Sequence, residues 1–287
     1  MIPAPLSVAT IQFFIGALYA GAMWLVKLRP TPKLTRKGMS ALAKVGFYHS
    51  TGQLATMISM NVGPISFTHI VKALEPFFSA VVSAVVFGEW MKPQVYATLI
   101  PVVGGVAYAC AQEKHFSWLS FTTAMSSNLA FALRAVYSKH AMSSNSDMKD
   151  LSSTNLFGVV TWFAALVSLP IALFLEGTSF IPLWKAAVET SGKTVRQLIY
   201  AVVISGLVHY LNNEVMYLAL SNVHPVTLAV GNTMKRVFIL VASVMVFQNS
   251  ISVQAAIGSA IGIGGVLLYS ITKDYYEKVI KLQEASA

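Results

Sequence analysis

The sequence predicts an all-α, polytopic membrane protein built as an inverted repeat, and three observations predict it. Hydrophobic residues make up 55% of the 287-residue chain and charged residues only 11%, against about 25% charged in a soluble domain. Nine stretches are apolar and approach the roughly 20 residues that a spanning helix needs: 5–26, 41–62, 65–88, 94–112, 119–138, 154–175, 197–220, 226–247 and 251–272. Two parts of the chain also repeat one another. Asn61-Val62-Gly63-Pro64 leads to Ser83, Phe87 and Gly104-Gly105-Val106, and Asn222-Val223-His224-Pro225 leads to Ser243, Phe247 and Gly264-Gly265-Val266.

The first stretch imitates a secretory leader in its small-residue end, but no basic segment precedes it, so it reads as a mature span. The second carries Lys44 near its start, and the third holds Lys72 and Glu75 well inside. The fourth contains one glycine pair and ends beside Cys110. That thiol reads as core packing, since a single cysteine makes no disulfide framework. Arg134 lies in the fifth stretch, the sixth is uncharged, and the seventh carries His209 and Glu214. The eighth holds the adjacent Lys235 and Arg236, and the ninth repeats the glycine pair. Both pairs, 104–105 and 264–265, read as close helix packing in a bilayer. What remains is too short for a separate soluble domain.

The formal charge of +9 follows membrane topology. One side carries Lys27, Arg29, Lys33, Arg36, Lys37, Lys92, Lys139, Lys149, Lys273, Lys278 and Lys281; the other carries Lys114, Lys185, Lys193 and Arg196. Eleven against four places the 27–37 loop and the C-terminus on the cytoplasm-like or stroma-like face. The basic residues form no solvated stripe interleaved with aromatics, which excludes a nucleic-acid partner and leaves the lipid bilayer as the surrounding medium.

The first helices of the two copies are five spans apart, so they insert with opposite orientation. Inverted repeats are a transporter architecture, with the site near the midplane. The second copy follows three spans of its own half and the first only two. The expected halves are 1–112, with four helices, and 113–273, with five, followed by a tail at 274–287. On this reading one helix is missing from a ten-helix plan, and Met1 is expected to be internal to a longer product.

Five cations, Lys44, Lys72, Arg134, Lys235 and Arg236, fall inside apolar stretches that hold only two carboxylates, Glu75 and Glu214. A charge at bilayer depth costs roughly 2.5–3.5 kcal/mol on insertion scales, so it persists with a partner or a task. The shortfall of acids makes the missing anion the expected cargo. Lys44 is near enough to its span's end to snorkel. Lys72 and Lys235 are approximate symmetry mates, eight and ten residues after their prolines, and Arg236 points about 100° further round its helix. A guanidinium binds phosphate oxygens through two parallel hydrogen bonds and Lys binds them as a point charge, so this set suits a phosphate dianion.

Ser66, Thr56 and Thr68 could add hydroxyls, although such groups in apolar helices commonly bond their own backbone. Glu75 is expected to give electrostatic support, paired with Lys72 one turn away or with Arg134. His49, His69 and His209 read as helix-packing residues and match no zinc spacing. Nothing resembles a nucleophile elbow, an H-E-x-x-H pair or a P-loop, so neither enzyme chemistry, metal nor cofactor is expected.

Ser66-Phe67-Thr68-His69, Lys72-Ala73-Leu74-Glu75-Pro76-Phe77-Phe78, Arg134-Ala135-Val136-Tyr137-Ser138-Lys139 and Val230-Gly231-Asn232-Thr233-Met234-Lys235-Arg236-Val237 resemble the plastidic phosphate translocator family of the drug/metabolite transporter superfamily. The resemblance covers nearly the whole chain from residue 3. It implies ten helices in two inverted five-helix halves, and obligatory exchange of phosphate for a phosphorylated sugar or three-carbon acid across the inner plastid envelope. The phosphate-binding set it implies is Thr56, Lys72, Lys235 and Arg236; the electrostatic support of Glu75 and Arg134 is read from the residues themselves. Gln53 stands where many members have histidine, and Asn212 where the family has a binding tyrosine, with Tyr210 nearby; these three are the expected selectivity positions. The segments ALEPFF and RAVYSK resemble the triose-phosphate branch. Transport of hexose phosphate or phosphoenolpyruvate, or nucleotide-sugar antiport, is the alternative within the superfamily. An anion channel and a membrane enzyme acting on phosphorylated lipids are the rivals from other classes.

Overall fold

The computed structural model describes residues 3–114, 116–144, 151–222, 225–247 and 252–285, and every regular element among them is helical. The elements are α1 (Pro5–Leu25), α2 (Arg36–Val62), α3 (Ile65–Val71), a 3-10 turn (Lys72–Leu74), α4 (Glu75–Phe87), α5 (Pro93–Ala97), α6 (Leu99–Ala111) and α7 (Trp118–Ser144). They continue with α8 (Ser153–Glu176), α9 (Phe180–Ser191), α10 (Val195–Asn222), α11 (Pro225–Phe247) and α12 (Val253–Ala285). The chain is an all-α, multi-pass membrane protein.

The described parts of the nine expected stretches lie on these helices, residue 251 of the ninth being outside the described residues, with three departures. The third is not one helix: the 3-10 turn divides α3 from α4. The fourth is divided at Thr98 between α5 and α6. An additional helix, α9, precedes α10 and was not anticipated. Five described helical segments are long and apolar enough to cross a membrane, or six if the bent pair 180–191 and 195–219 counts as one span. The remaining long helices carry polar residues well inside them: Lys44 and Gln53 on α2, Arg134 on α7, and Lys235 and Arg236 on α11. Polar side chains are costly in lipid, so they concentrate on the helices that have a use for them.

Local chemistry sets the ends. Proline occupies the first turn of α1, where the missing N–H would be unpaired anyway. The Ser152 hydroxyl accepts the Asn155 N–H at 3.3 Å and caps α8. Gly88 and Gly192 close α4 and α9 in the left-handed region, at φ 67° and 63°.

The helices form two compact units. Unit 1 comprises residues 1–61 and 133–221 and unit 2 comprises 62–132 and 222–287, so each draws on both sequence halves. In unit 1, Phe13, Leu42, Val45, Phe157, Val160 and Tyr210 are fully buried. Glu176, at the end of α8, accepts the first N–H groups of α1 from Leu6 at 3.0 Å and Ser7 at 2.7 Å. A carboxylate there offsets the positive end of the α1 dipole. The buried Asn155 accepts from the Trp24 indole at 3.0 Å and donates to the Pro30 carbonyl at 2.8 Å, tying down the loop after α1.

Unit 2 contains the repeat copies from Val62 and from Asn222 onward. Its core includes Phe67, Val71, Val102, Val106, Val266 and Tyr269. A Cβ on Gly105 would meet the Gly262 amide nitrogen and lie 2.7 Å from the Gly258 carbonyl oxygen; one on Gly265 would lie 2.8 Å from the Val102 nitrogen. Equivalent glycines of the two copies thus bring α6 and α12 into backbone contact, as the small-residue rule requires. Gly104 and Gly264 face open space. One glycine of each pair packs, and Cys110 is buried at the end of α6 as expected.

Candidate anion site

Pro76 organises the basic cluster in unit 2. A proline inside a helix has no N–H to give the carbonyl four residues back, and its ring crowds that carbonyl. For Pro76 that residue is Lys72. The backbone answers with a tighter turn, in which the Glu75 N–H bonds the Lys72 carbonyl instead of that of Val71. Two carbonyls need further partners, since buried backbone groups are rarely left unpaired. Asn128 Nδ2 donates to the Val71 carbonyl at 2.9 Å, and Arg236 Nη1 donates to the Lys72 carbonyl at 2.6 Å.

That second bond places the guanidinium of α11 against the break. Arg236 Nη2 also donates to Glu75 Oε2 at 2.8 Å, with the two side chains 16% and 32% exposed. The Lys72 ammonium donates to Ser127 Oγ at 2.9 Å and lies 4.3 Å from the centroid of the Phe131 ring. Lys235, half-buried, precedes Arg236 on α11. Lys72, Glu75 and Arg236 are therefore brought together by one proline, and Phe77 and Phe78 pack onto the same core. Met234 is 47% exposed on α11.

Glu75, expected to pair with Lys72 or Arg134, forms an ion pair with Arg236, 161 residues away. Ser127, Asn128 and Phe131 escaped the sequence reading. The clue to them was the Ser-Asn pair within the apolar 119–138 stretch, together with the donor that Pro76 obliges something to supply.

The other expected site residues belong to unit 1. Thr56 is buried, and its hydroxyl donates to the Gly52 carbonyl at 2.8 Å, one turn back. Gln53 is half-buried on the same helix, and Asn212 is exposed on α10. Arg134 Nη1 lies 3.0 Å from His49 Nδ1, and its guanidinium carbon is 5.8 Å from the Tyr217 ring centroid. His49 packs edge-on against Phe13 and Phe157 and stacks with His209 at 6.2 Å.

Tyr210 is 1% exposed and donates its hydroxyl to Glu214 at 3.1 Å. Glu214 in turn accepts both terminal nitrogens of Arg29, one at 3.1 Å. The hydrogen bond to Glu214, outweighing desolvation, raises the Arg29 pKa above its ordinary value. The second intramembrane carboxylate is thus engaged by a loop arginine. Its pairing was hidden because Arg29 lies outside every apolar stretch.

The chain matches the sequence profile of the Triose-phosphate Transporter family over residues 1–270. It is 36% identical to the chloroplastic phosphoenolpyruvate/phosphate translocator 1 of Arabidopsis thaliana over 270 residues, 94% of this chain and 65% of that protein. It is 37% identical to the triose phosphate/phosphate translocator of non-green plastids of Brassica oleracea var. botrytis, over 94% of this chain and 66% of that one. Against the chloroplastic triose phosphate/phosphate translocator of Solanum tuberosum it is 36% identical, over 99% and 67%. The chain therefore spans about two thirds of the length of these relatives. A solved crystal structure of 15% identity aligns with a TM-score of 0.53 over 94% of this chain and 88% of its own, a likeness of fold alone.

Proposed function

The chain belongs to the Triose-phosphate Transporter family, and from that premise we propose that it is a secondary antiporter exchanging inorganic phosphate for phosphorylated three-carbon compounds across the inner plastid envelope. It is a carrier, not an enzyme. The observation that carries the reading is the cluster at the Pro76 break. Lys72, Lys235 and Arg236 bring three formal positive charges and Glu75 one negative, leaving two. A phosphoryl dianion is the ligand that cancels them.

The transport step follows from dehydration. Closing off water around uncompensated charge is expensive. Without substrate, Glu75 satisfies part of Arg236 and the cluster keeps its excess charge, which favours an open state. A bound dianion removes the excess and permits closure. Alternating access then returns the carrier quickly only when it is loaded, and exchange is obligatory.

The three-carbon reading rests on the ALEPFF and RAVYSK segments. Relatives named for phosphoenolpyruvate, triose phosphate and xylulose 5-phosphate all lie between 34% and 37% identity, so identity alone does not rank these substrates. Gln53 and Asn212 are the proposed selectivity positions. Tyr210, engaged in the core with Glu214, takes a positioning role.

The test is counter-exchange in proteoliposomes loaded with phosphate, dihydroxyacetone phosphate, 3-phosphoglycerate, phosphoenolpyruvate or glucose 6-phosphate. Phosphate, dihydroxyacetone phosphate and 3-phosphoglycerate should exchange best, and Gln53→His or Asn212→Tyr should reorder the panel. Preference for glucose 6-phosphate would overturn the three-carbon assignment, and preference for phosphoenolpyruvate would overturn the choice of triose phosphate and 3-phosphoglycerate within it. Competition by nucleoside monophosphates would point to the nucleotide-sugar class.

A further inference from the structure

The helix missing from the sequence reading, α9, has the build of an interfacial element. Phe180, Leu183, Trp184, Ala187 and Val188 fall at the spacing of one helical face, while Lys185, Glu189 and Thr190 are exposed. Gly192 ends it in the left-handed conformation, and α10 departs at 106°. An amphipathic helix set at such an angle to its neighbouring span has the build of one that lies along a membrane surface with its apolar face inward. Tryptophan at that depth is the usual anchor.

Within unit 1, a groove of about 340 Å³ opens between α9, α1 and α10. Its walls are Ile11, Phe180, Ile181, Ile199, Val202 and Val203, with Trp184 alongside and Lys185 as the one charged residue bordering it. Lys185 has no ion-pair partner among the described residues, and Glu189, one turn on, does not bridge to it. Lys193 and Arg196 are exposed in the adjoining turn and first turn of α10. A phosphorylated solute would find a single cation and aliphatic walls here, a poor match to its several oxygens. An acyl chain fits the walls, and an anionic headgroup fits the rim.

We propose that this groove is a binding site for an anionic membrane phospholipid, with one acyl chain between α9, α1 and α10 and its phosphodiester at Lys185. The bound lipid completes the packing of α9 against the unit and fixes the angle at which α10 enters the bilayer. The site requires only that the chain spans a membrane, so it stands apart from the transported substrate.

The full chain reconstituted in nanodiscs provides the test, using acyl chains brominated near mid-chain as quenchers. The signal is the quenching of tryptophan fluorescence in the unmodified protein less that in Trp184→Phe, which isolates Trp184. Brominated phosphatidylglycerol should reach half-quenching at about a fifth of the mole fraction that brominated phosphatidylcholine needs, the preference expected from one lysine near an anionic surface. Lys185→Gln, an exposed change, should abolish that preference while leaving Trp184 quenchable. Equal quenching by both lipids, a preference that survives Lys185→Gln, or a Trp184 that neither lipid quenches would each overturn the proposal.

Discussion

Replacing Arg236 with Gln should lower phosphate counter-exchange by about a hundredfold, within the roughly 2–5 kcal/mol lost when one member of a desolvated, hydrogen-bonded charge pair is truncated. The substitution removes one of three cations together with its ion pair to Glu75, so the excess charge offered to a dianion falls from two to one. Lys72→Gln should do the same, because it removes a cation while leaving the Arg236–Glu75 pair in place. Arg236→Lys keeps the charge but cannot serve the Lys72 carbonyl and Glu75 together, and its activity should fall between the two. Pro76→Ala supplies the missing N–H to the Lys72 carbonyl, competing with Arg236 for it, and should also give an intermediate loss. Thermal unfolding in detergent must accompany each measurement, since Arg236 bonds protein groups as well as its proposed ligand. Full exchange activity in Lys72→Gln or Arg236→Gln would remove these residues from the site.

Gly105→Val should leave little folded protein. Its side chain would have to enter the space held by the Gly258 carbonyl and the Gly262 backbone, and backbone cannot rotate aside as a side chain can. Over-packing of a yielding core costs about 1–3 kcal/mol; here α6 and α12 must separate, losing the close contact that holds unit 2. Gly104→Val, one residue away, meets nothing within 4 Å and should express and elute normally. The same contrast should hold for Gly265→Val against Gly264→Val, because Gly265 lies on the Val102 backbone and Gly264 faces open space. Monodisperse protein recovered after size-exclusion chromatography is the readout. Equal recovery of Gly104→Val and Gly105→Val would contradict the packing described for this crossing.

Much of this was legible in the sequence because it is periodic or costly. Apolar length marked the spans, the paired motifs marked the repeat, and each glycine pair marked a crossing. Lys72 and Arg236 stood out because a cation inside an apolar stretch needs a reason. Other features were not legible, for identifiable causes. The 12-residue α9 is amphipathic and too short for the apolar criterion that found the spans. The helix break follows from Pro76, yet its consequences appear only in the residues that satisfy the freed carbonyls, Asn128 and Arg236. The pairs Arg236–Glu75 and Arg29–Glu214 join residues 161 and 185 apart, and separations of that kind are set by packing. Tyr210 was read as a selectivity position from its neighbourhood in the sequence, while its burial beside Glu214 is a property of the fold.

Equilibrium binding of labelled phosphate to the purified chain, compared with Lys72→Gln and Arg236→Gln, tests the central claim most directly. The account predicts saturable binding at one site per chain, displaced by 3-phosphoglycerate and weakened at least tenfold in either variant, the effect of losing roughly 1.5–3 kcal/mol from a hydrogen bond to a charged group. Binding of equal strength in all three proteins would contradict it.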